Sequence, residues 1–154
     1  MYIKWLRDSQ PDGNTSRKSL RYLLFKNIIS SNINNMTVLP GQVSSNGEPC
    51  FILKEYLKFH DENIKKYGSC TVVLMQVGSF YEIYSVQNET ISVGADIYKL
   101  ADILGIQVVR RNKSIPEISY DNFLMSGWNI YAQEKFQKIL LNHNYTIVYV
   151  DQVT

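Results

Sequence analysis

The chain has 154 residues, which is the length of a single domain and too short for two full ones. Hydrophobic residues make up 45% of the sequence and charged residues only 19%, which excludes disorder over most of the chain. Sixteen basic residues against fourteen acidic ones give a formal net charge of +2. Bulk charge therefore gives no argument for nucleic-acid binding, and any such site must depend on the local placement of side chains.

The cysteine spacing and the apolar runs predict an intracellular protein without a membrane partner. Cys50 and Cys70 lie far apart with no C-x-x-C motif, as expected for two reduced thiols. Residues Met1–Asp8 lack the apolar core of a secretory signal. The apolar run Val72–Met75 is far too short to span a bilayer.

The sequence divides into a predicted N-terminal extension, residues 1–49, and a main domain, residues 50–154. Apolar residues between Leu20 and Ile28 recur at helical spacing and predict a short amphipathic helix from about Ser16 to Ser30. Ser31–Pro49 is rich in Asn, Ser, Gly and Pro, which is typical of a linker. We expect four basic residues of this helix either to face solvent or to contact phosphates or an acidic partner: Arg17, Lys18, Arg21 and Lys26.

The main domain opens with a helix followed by a hairpin. An apolar stripe from Ile52 to Ile64 has helical spacing, and Gly68 follows where a helix commonly ends. Thr71–Val77 is apolar and rich in β-branched residues, which is typical of a strand buried on both faces. Gly78-Ser79 predicts a type II′ turn, and Phe80–Val86 then forms the returning strand.

The rest of the pattern predicts helices and strands in alternation. In chain order these are a helix Ala95–Leu104, a strand Ile106–Val109, a basic loop with Arg110, Arg111 and Lys113, a strand Asn122–Met125, a turn at Ser126-Gly127, a helix Ile130–Leu141 and a strand Tyr145–Val150. Hairpins combined with helical crossovers indicate the α/β (α+β) class, as a mixed β-sheet flanked by helices.

Motifs of catalysis and of metal binding are absent from the sequence. It contains no G-x-x-x-x-G-K-[ST] phosphate loop, no G-x-S-x-G, no H-E-x-x-H and no paired C-x-x-C. His60 and His143 have no partner at the spacing of metal ligands. The E-x-K or D-x-K of metal-dependent nucleases is also missing, so a nuclease is the least favoured function. We expect no catalytic residue, no metal site and no cofactor in this chain.

One pair of residues points to a function. Strand alternation puts Phe80 and Glu82 on the same face, just after the predicted turn and therefore at the rim of the sheet. An aromatic ring there can stack on a base or enter between base steps, at a lower cost where a base is already mispaired. Phosphates repel the carboxylate, which gains only where a base edge presents a donor or where the acid is protonated and itself donates. The pair is therefore better suited to discriminating between DNA sites than to raising affinity for DNA. The alternative interpretation is a core Phe beside a surface Glu in a plain hairpin.

Four segments, in the same order, resemble the N-terminal domain of the MutS mismatch-repair family from about Tyr56 to Thr154. QVGSFYEIY (residues 76–84) resembles the family's G-D-F-Y-E-L-F, and LGIQVVRR (104–111) resembles its L-x-I-x-L-T-x-R. Met125-Ser126-Gly127 is similar to M-A-G, and YTIVYVDQ (145–152) is similar to a closing strand that ends in E-Q. QVGSFYEIY and DQVT are most similar to the MutS branch of large DNA viruses and coral mitochondria.

The resemblance implies recognition of mismatched or unpaired bases in double-stranded DNA, as part of DNA mismatch repair. In the family, the Phe of F-x-E stacks on the mispaired base from the minor groove and the Glu hydrogen-bonds that base. These roles fall on Phe80 and Glu82. The other DNA-binding candidates are Met125, in the M-A-G segment, and three basic residues that either contact the phosphate backbone or lie in a solvated loop: Arg110, Arg111 and Lys113.

The chain also departs from the family. Ser79 and Gln76 replace the usual Asp and Arg, and residues 128–131 replace a Pro-Tyr-His stretch. The family's lever, clamp and ATPase domains have no counterpart here, so the remaining MutS domains or an ATPase subunit are expected partners. The alternative is a MutS-like fold that serves as a protein-interaction or virion structural module without DNA binding. A buried Phe80 would favour that alternative, and an exposed ring beside Arg111 would favour DNA.

Overall fold

The chain folds around one mixed sheet with helices on both faces. The computed structural model describes residues 6–8, 19–24 and 50–152. Its helices are α1 (Phe51–Tyr67), α2 (Ile97–Leu104) and α3 (Gln133–Asn142), and a single 3₁₀ turn, Ile130–Ala132, precedes α3. The strands are β1 (Leu6–Asp8), β2 (Ser19–Leu24), β3 (Thr71–Val77), β4 (Phe80–Gln87), β5 (Ser92–Gly94), β6 (Val109–Arg110), β7 (Leu124–Asn129) and β8 (Thr146–Gln152). The expected α+β class is confirmed.

The strands follow the order β1-β2-β8-β3-β4-β7-β6, and β5 pairs with the far end of β4. β8 runs parallel to both of its neighbours, β2 and β3, while the other pairs are antiparallel. Parallel neighbours need a crossover connection, and antiparallel neighbours can be joined by a tight turn. The sheet is therefore mixed, as the alternation of hairpins and helices predicts.

The core lies between the sheet and the helices. On one face, the Tyr56 hydroxyl of α1 donates a 3.0 Å hydrogen bond to the Val73 carbonyl, and the Tyr56 ring meets Tyr84 edge-on. On the other face, Phe136 of α3 packs against Trp128 with ring centroids 4.6 Å apart. Within the described ranges, no helix is long and apolar enough to cross a bilayer.

The predicted N-terminal helix is wrong where the structure describes its residues. Ser19–Leu24 form strand β2, whose backbone pairs in parallel with Ile147–Gln152 of β8. A short apolar run has no periodicity that separates helix from strand, and the open edge of β8 supplies backbone partners that only a strand can use. The rest of that helix and the linker lie outside the described residues. The division near residue 49 stays a prediction, although β2 belongs to the same sheet as β3 and β4.

Two shorter predictions are also wrong. Ser126-Gly127 is not a turn, because β7 continues through both residues to Asn129. A Cβ at Gly127 would collide with the Tyr81 carbonyl oxygen on β4, so the glycine allows two strands to approach closely. Of the predicted strand Ile106–Val109, only Val109 pairs with β7. Thr71–Val77, by contrast, is a strand with the predicted bounds.

Candidate nucleic-acid interface

Phe80 is the first strand residue after the hairpin turn that joins β3 to β4. Val77 and Phe80 pair across the turn, and Gly78 has a φ of 59°, which the first position of a type II′ turn requires. The Phe80 side chain is 46% exposed, although most large apolar side chains in the described part of the chain are buried. The ring is therefore held at the tip of a hairpin without being part of the core.

Glu82 and Tyr84 follow Phe80 on the same face of β4, as alternation predicts. Across the sheet, Phe80 pairs with Asn129, Glu82 with Gly127, and Tyr84 with Met125. Exposure falls along this row, because Phe80 is exposed, Glu82 is half-buried and Tyr84 is 1% exposed. The row leads from solvent at the tip into the core.

The Glu82 carboxylate is held by the tyrosine two residues along the strand. The Tyr84 hydroxyl donates a hydrogen bond to Glu82 Oε2. Burial raises the pKa of Tyr84 well above its ordinary value, and the hydrogen bond to Glu82 raises it further. The Tyr84 hydroxyl therefore keeps its proton and remains a donor throughout the physiological pH range.

Two glutamines anchor the turn of the hairpin to the end of β8. The Gly78 backbone amide donates to Gln152 Oε1 at 3.0 Å, and the Gln152 backbone amide donates to Gln76 Oε1 at 3.0 Å. Gln76 Nε2 donates in turn to the Gly78 carbonyl at 3.1 Å. On the other side, the Ile130 amide donates to the Ser79 carbonyl at 2.9 Å. We call the bonds among Gln76, Gly78 and Gln152 the tip network, and it limits the positions open to Phe80.

The basic candidates lie away from the hairpin tip. Arg110 pairs with Leu124, at the end of β7 opposite to Asn129, the partner of Phe80. At about 3.3 Å per residue these two ends of β7 are roughly 16 Å apart. Lys113 lies in the same basic loop as Arg110. The expected neighbourhood of Phe80 and Arg111 is therefore not found, and the candidates form two groups on one sheet.

Hydrogen bonds and ring contacts define the basic group. Arg110 Nη2 donates to the Lys113 carbonyl at 3.1 Å, which orders the loop between them. The Arg111 guanidinium lies 5.6 Å from the centroid of the Phe123 ring, and its side chain is exposed. Lys113 is exposed too. Arg111 and Lys113 are thus the cations of this group best placed to meet an anionic ligand.

Met125 precedes and Tyr131 follows, along the chain, the two residues of β7 that pair with Glu82 and Phe80. Met125 is half-buried between Tyr84 and Val109 in the sheet, so it lies on the face that carries Glu82. Tyr131 lies two residues past the end of β7 and is 90% exposed. Its backbone amide donates to Asn129 Oδ1 at 3.0 Å. Tyr131 is not among the predicted site residues, although it belongs to residues 128–131, where the chain departs from the family pattern.

The structure offers no metal centre in the ranges it describes. No three His, Cys, Asp or Glu side chains there lie close enough together to hold a metal ion.

Two curated proteins are similar to this chain. A mutS homolog of Acanthamoeba polyphaga mimivirus is 33% identical over 98 residues, which are 63% of this chain and 8% of that protein. A mitochondrial DNA mismatch repair protein mutS homolog of Sarcophyton glaucum is 21% identical over 120 residues, covering 64% of this chain and 12% of that protein. No protein-family profile matches the chain. The chain therefore contains a MutS-related domain that spans about a tenth of the length of these relatives.

Proposed function

We propose that this MutS-related domain is a mismatch-recognition module, equivalent to the N-terminal domain of the family, and that it catalyses no reaction itself. It binds double-stranded DNA that contains a mispaired or unpaired base. The observation that carries the proposal is the exposed Phe80 ring at the tip of an anchored hairpin, with Glu82 beside it on the same face. The relatives' names, both of which mention mutS, support a role in DNA mismatch repair.

The Phe80 ring can distinguish damaged pairing from sound pairing by energy. Inserting a ring between base steps costs a few kcal/mol of unstacking, and the cost is lower where a base is already mispaired. Stacking on a base returns about 1–3 kcal/mol whatever the base is. The tip network orders the hairpin that carries the ring beforehand, so little backbone freedom is lost on binding. Phe80 therefore favours a weakened site without reading a particular sequence.

Glu82 adds selectivity at the cost of general affinity. A carboxylate near phosphates is repelled, so Glu82 weakens the binding of fully paired duplex. An exposed base edge with an N–H donor compensates for that repulsion by a charge-assisted hydrogen bond. Glu82 lies two residues after Phe80 on the same face of β4. A base that stacks on the ring therefore also comes close to the carboxylate.

The basic group supplies sequence-independent contacts to the same duplex. The separation of about 16 Å between the two ends of β7 corresponds to roughly five base-pair steps at about 3.4 Å each. One duplex can therefore meet Phe80 and the exposed side chains of Arg111 and Lys113 together. Contacts of this kind fix the register of a protein on DNA and leave recognition to the residues at the base.

We also propose that this module works with other polypeptide segments inside the cell. The two relatives are about ten times longer than the matched segment, so the remaining MutS domains or an ATPase subunit are the partners we propose. Nucleotide hydrolysis, if it accompanies recognition, belongs to those segments, because this sequence has no phosphate-binding loop. The segments of this chain that resemble the family all belong to the family's mismatch-recognition domain.

The proposal is tested by comparing duplexes that differ at one base pair. Fluorescence anisotropy measures the affinity of the whole chain for matched duplex, for a duplex with one mismatch and for one with a single unpaired base. We expect tighter binding to the last two by about tenfold, since stacking is worth about 1–3 kcal/mol. Affinity for all three should fall with salt because phosphate contacts release counterions. Equal affinity for the three duplexes would contradict the proposal and favour a protein-interaction role.

The tip network should contribute to recognition as well as to stability. Gln152→Ala removes the acceptor of the Gly78 amide on an exposed turn, so we expect a loss of about 1 kcal/mol in the free energy of unfolding. The freed hairpin must be ordered on binding, and the preference for mismatched over matched duplex should fall about threefold. Gln137→Ala on α3 is the matched control, since Gln137 accepts from Tyr149, which is not part of the tip network. A similar loss of preference in both variants would refute the role of the network.

A further inference from the structure

We infer that Tyr84 is a positioning residue for Glu82, and that its hydroxyl determines how strongly this domain distinguishes a mispaired base from a paired one. The inference rests on the proposed function and deepens it. Tyr84 does not reach the surface, since its side chain is 1% exposed, so it acts through the carboxylate that it holds.

The Tyr84 ring is fixed before any ligand arrives. It meets Tyr56 and Phe123 edge-on, with ring centroids 5.1 Å away in both cases. Tyr56 of α1 and Phe123 of the loop before β7 thus pack against the ring and hold it. A buried hydroxyl needs a hydrogen-bond acceptor, and Glu82 Oε2 is that acceptor. The rigid aromatic cluster therefore dictates where the carboxylate lies.

This arrangement divides the two oxygens of Glu82 between two tasks. Oε2 accepts from Tyr84, and no hydrogen bond within the described part of the chain engages Oε1. Gly127 pairs with Glu82 across the sheet and has no side chain to cover it. Oε1 is thus left to accept from a donor on a base edge. Because the bond to Tyr84 already orders the Glu82 side chain, DNA binding loses little further side-chain entropy.

The hydroxyl is a feature of this sequence. The motif that QVGSFYEIY resembles, G-D-F-Y-E-L-F, has Phe where this chain has Tyr84. A phenylalanine would keep the ring contacts with Tyr56 and Phe123 and would leave Glu82 free to rotate. The tyrosine is therefore expected to sharpen recognition beyond what the ring and the carboxylate provide alone.

The test compares two tyrosines of one strand that both donate to a carboxylate. Tyr84→Phe removes the bond to Glu82, and Tyr81→Phe is the control, because the Tyr81 hydroxyl donates to Asp151 at 2.6 Å on the opposite face of β4. Both variants keep their rings, and thermal melting checks that both fold. We expect Tyr84→Phe to lower the ratio of mismatched to matched affinity about 3- to 10-fold, and Tyr81→Phe to leave that ratio unchanged.

A double-mutant cycle assigns the effect to Glu82. In a Glu82→Ala background, Tyr84→Phe should have no further effect on the ratio. Without DNA, carbon-13 relaxation of the Glu82 side chain should show greater mobility in Tyr84→Phe than in Tyr81→Phe. An unchanged ratio in Tyr84→Phe would overturn the inference, as would unchanged Glu82 mobility in that variant or an effect that persists in the Glu82→Ala background. If the wild-type chain itself shows no mismatch preference, the proposed function fails, and Glu82 mobility alone then decides whether Tyr84 positions it.

Discussion

Phe80→Ala should remove the preference for mismatched DNA while leaving the affinity for matched duplex nearly unchanged. The ring is the part of the hairpin that can stack on a base, and stacking is worth about 1–3 kcal/mol, so mismatch affinity should fall about tenfold, to that of matched duplex. Matched duplex offers no weakened step for the ring, and its affinity comes from phosphate contacts that the substitution does not touch. Because the side chain is 46% exposed, its removal should cost little stability.

The matched control for Phe80→Ala is Tyr98→Ala. Tyr98 is an exposed aromatic residue on α2, with 52% of its side chain accessible, and it lies beside Arg110 rather than at the hairpin tip. Its loss can alter general affinity but should leave the ratio of mismatched to matched binding as it is. Anisotropy titrations of both variants at one salt concentration measure the ratio. A Phe80→Ala protein that keeps the wild-type ratio would show that the ring is not the wedge.

Gly127→Ala should destabilise the fold strongly. A methyl group there would collide with the Tyr81 carbonyl oxygen and lie 3.1 Å from Glu82 Cα, both on the paired strand β4. Backbone atoms of a paired strand cannot move aside as a flexible side chain can, so β4 and β7 would have to separate. We expect a loss of about 3 kcal/mol in the free energy of unfolding and a fall of roughly 10 °C in Tm.

The control for that substitution is Gly105→Ala at the end of α2. Gly105 has a φ of 65°, and a Cβ there meets nothing within 4 Å, so the cost is only the left-handed backbone. That cost is about 1–2 kcal/mol. Urea unfolding of the two variants compares them directly. A loss at Gly127 no larger than that at Gly105 would mean that the strands have room for a side chain.

The geometry of the hairpin part of the candidate site was predictable because its residues are close in sequence. The turn at Gly78-Ser79 and the alternation that brings Phe80 and Glu82 to one face depend only on neighbouring residues. The hydroxyl of Tyr84 is visible in the sequence as well, but its bond to Glu82 depends on the packing of Tyr56 and Phe123 around it. Those contacts join residues far apart in the chain, which no local pattern reveals.

The errors of prediction share one physical cause. Ser19–Leu24 form a strand because β8 offers a free edge, and Gly127 continues a strand because β4 passes close by. In both cases a partner from a distant part of the chain overrides the local preference. The distance between Phe80 and the basic loop is likewise set by the register of β7 with β4 and β6. Local sequence patterns do not determine this register between strands.

The most direct test of the wedge is a photo-cross-link from position 80. Phe80 is replaced by p-benzoylphenylalanine, the protein is irradiated on a duplex with one mismatch, and the cross-linked nucleotides are mapped. A protein with the same group at position 98, whose native Tyr98 is similarly exposed, serves as control. We expect cross-links from position 80 at the mispaired bases and their immediate neighbours, and none there from position 98. Cross-links from position 80 spread evenly along the duplex, or absent, would contradict insertion of the ring at the mismatch.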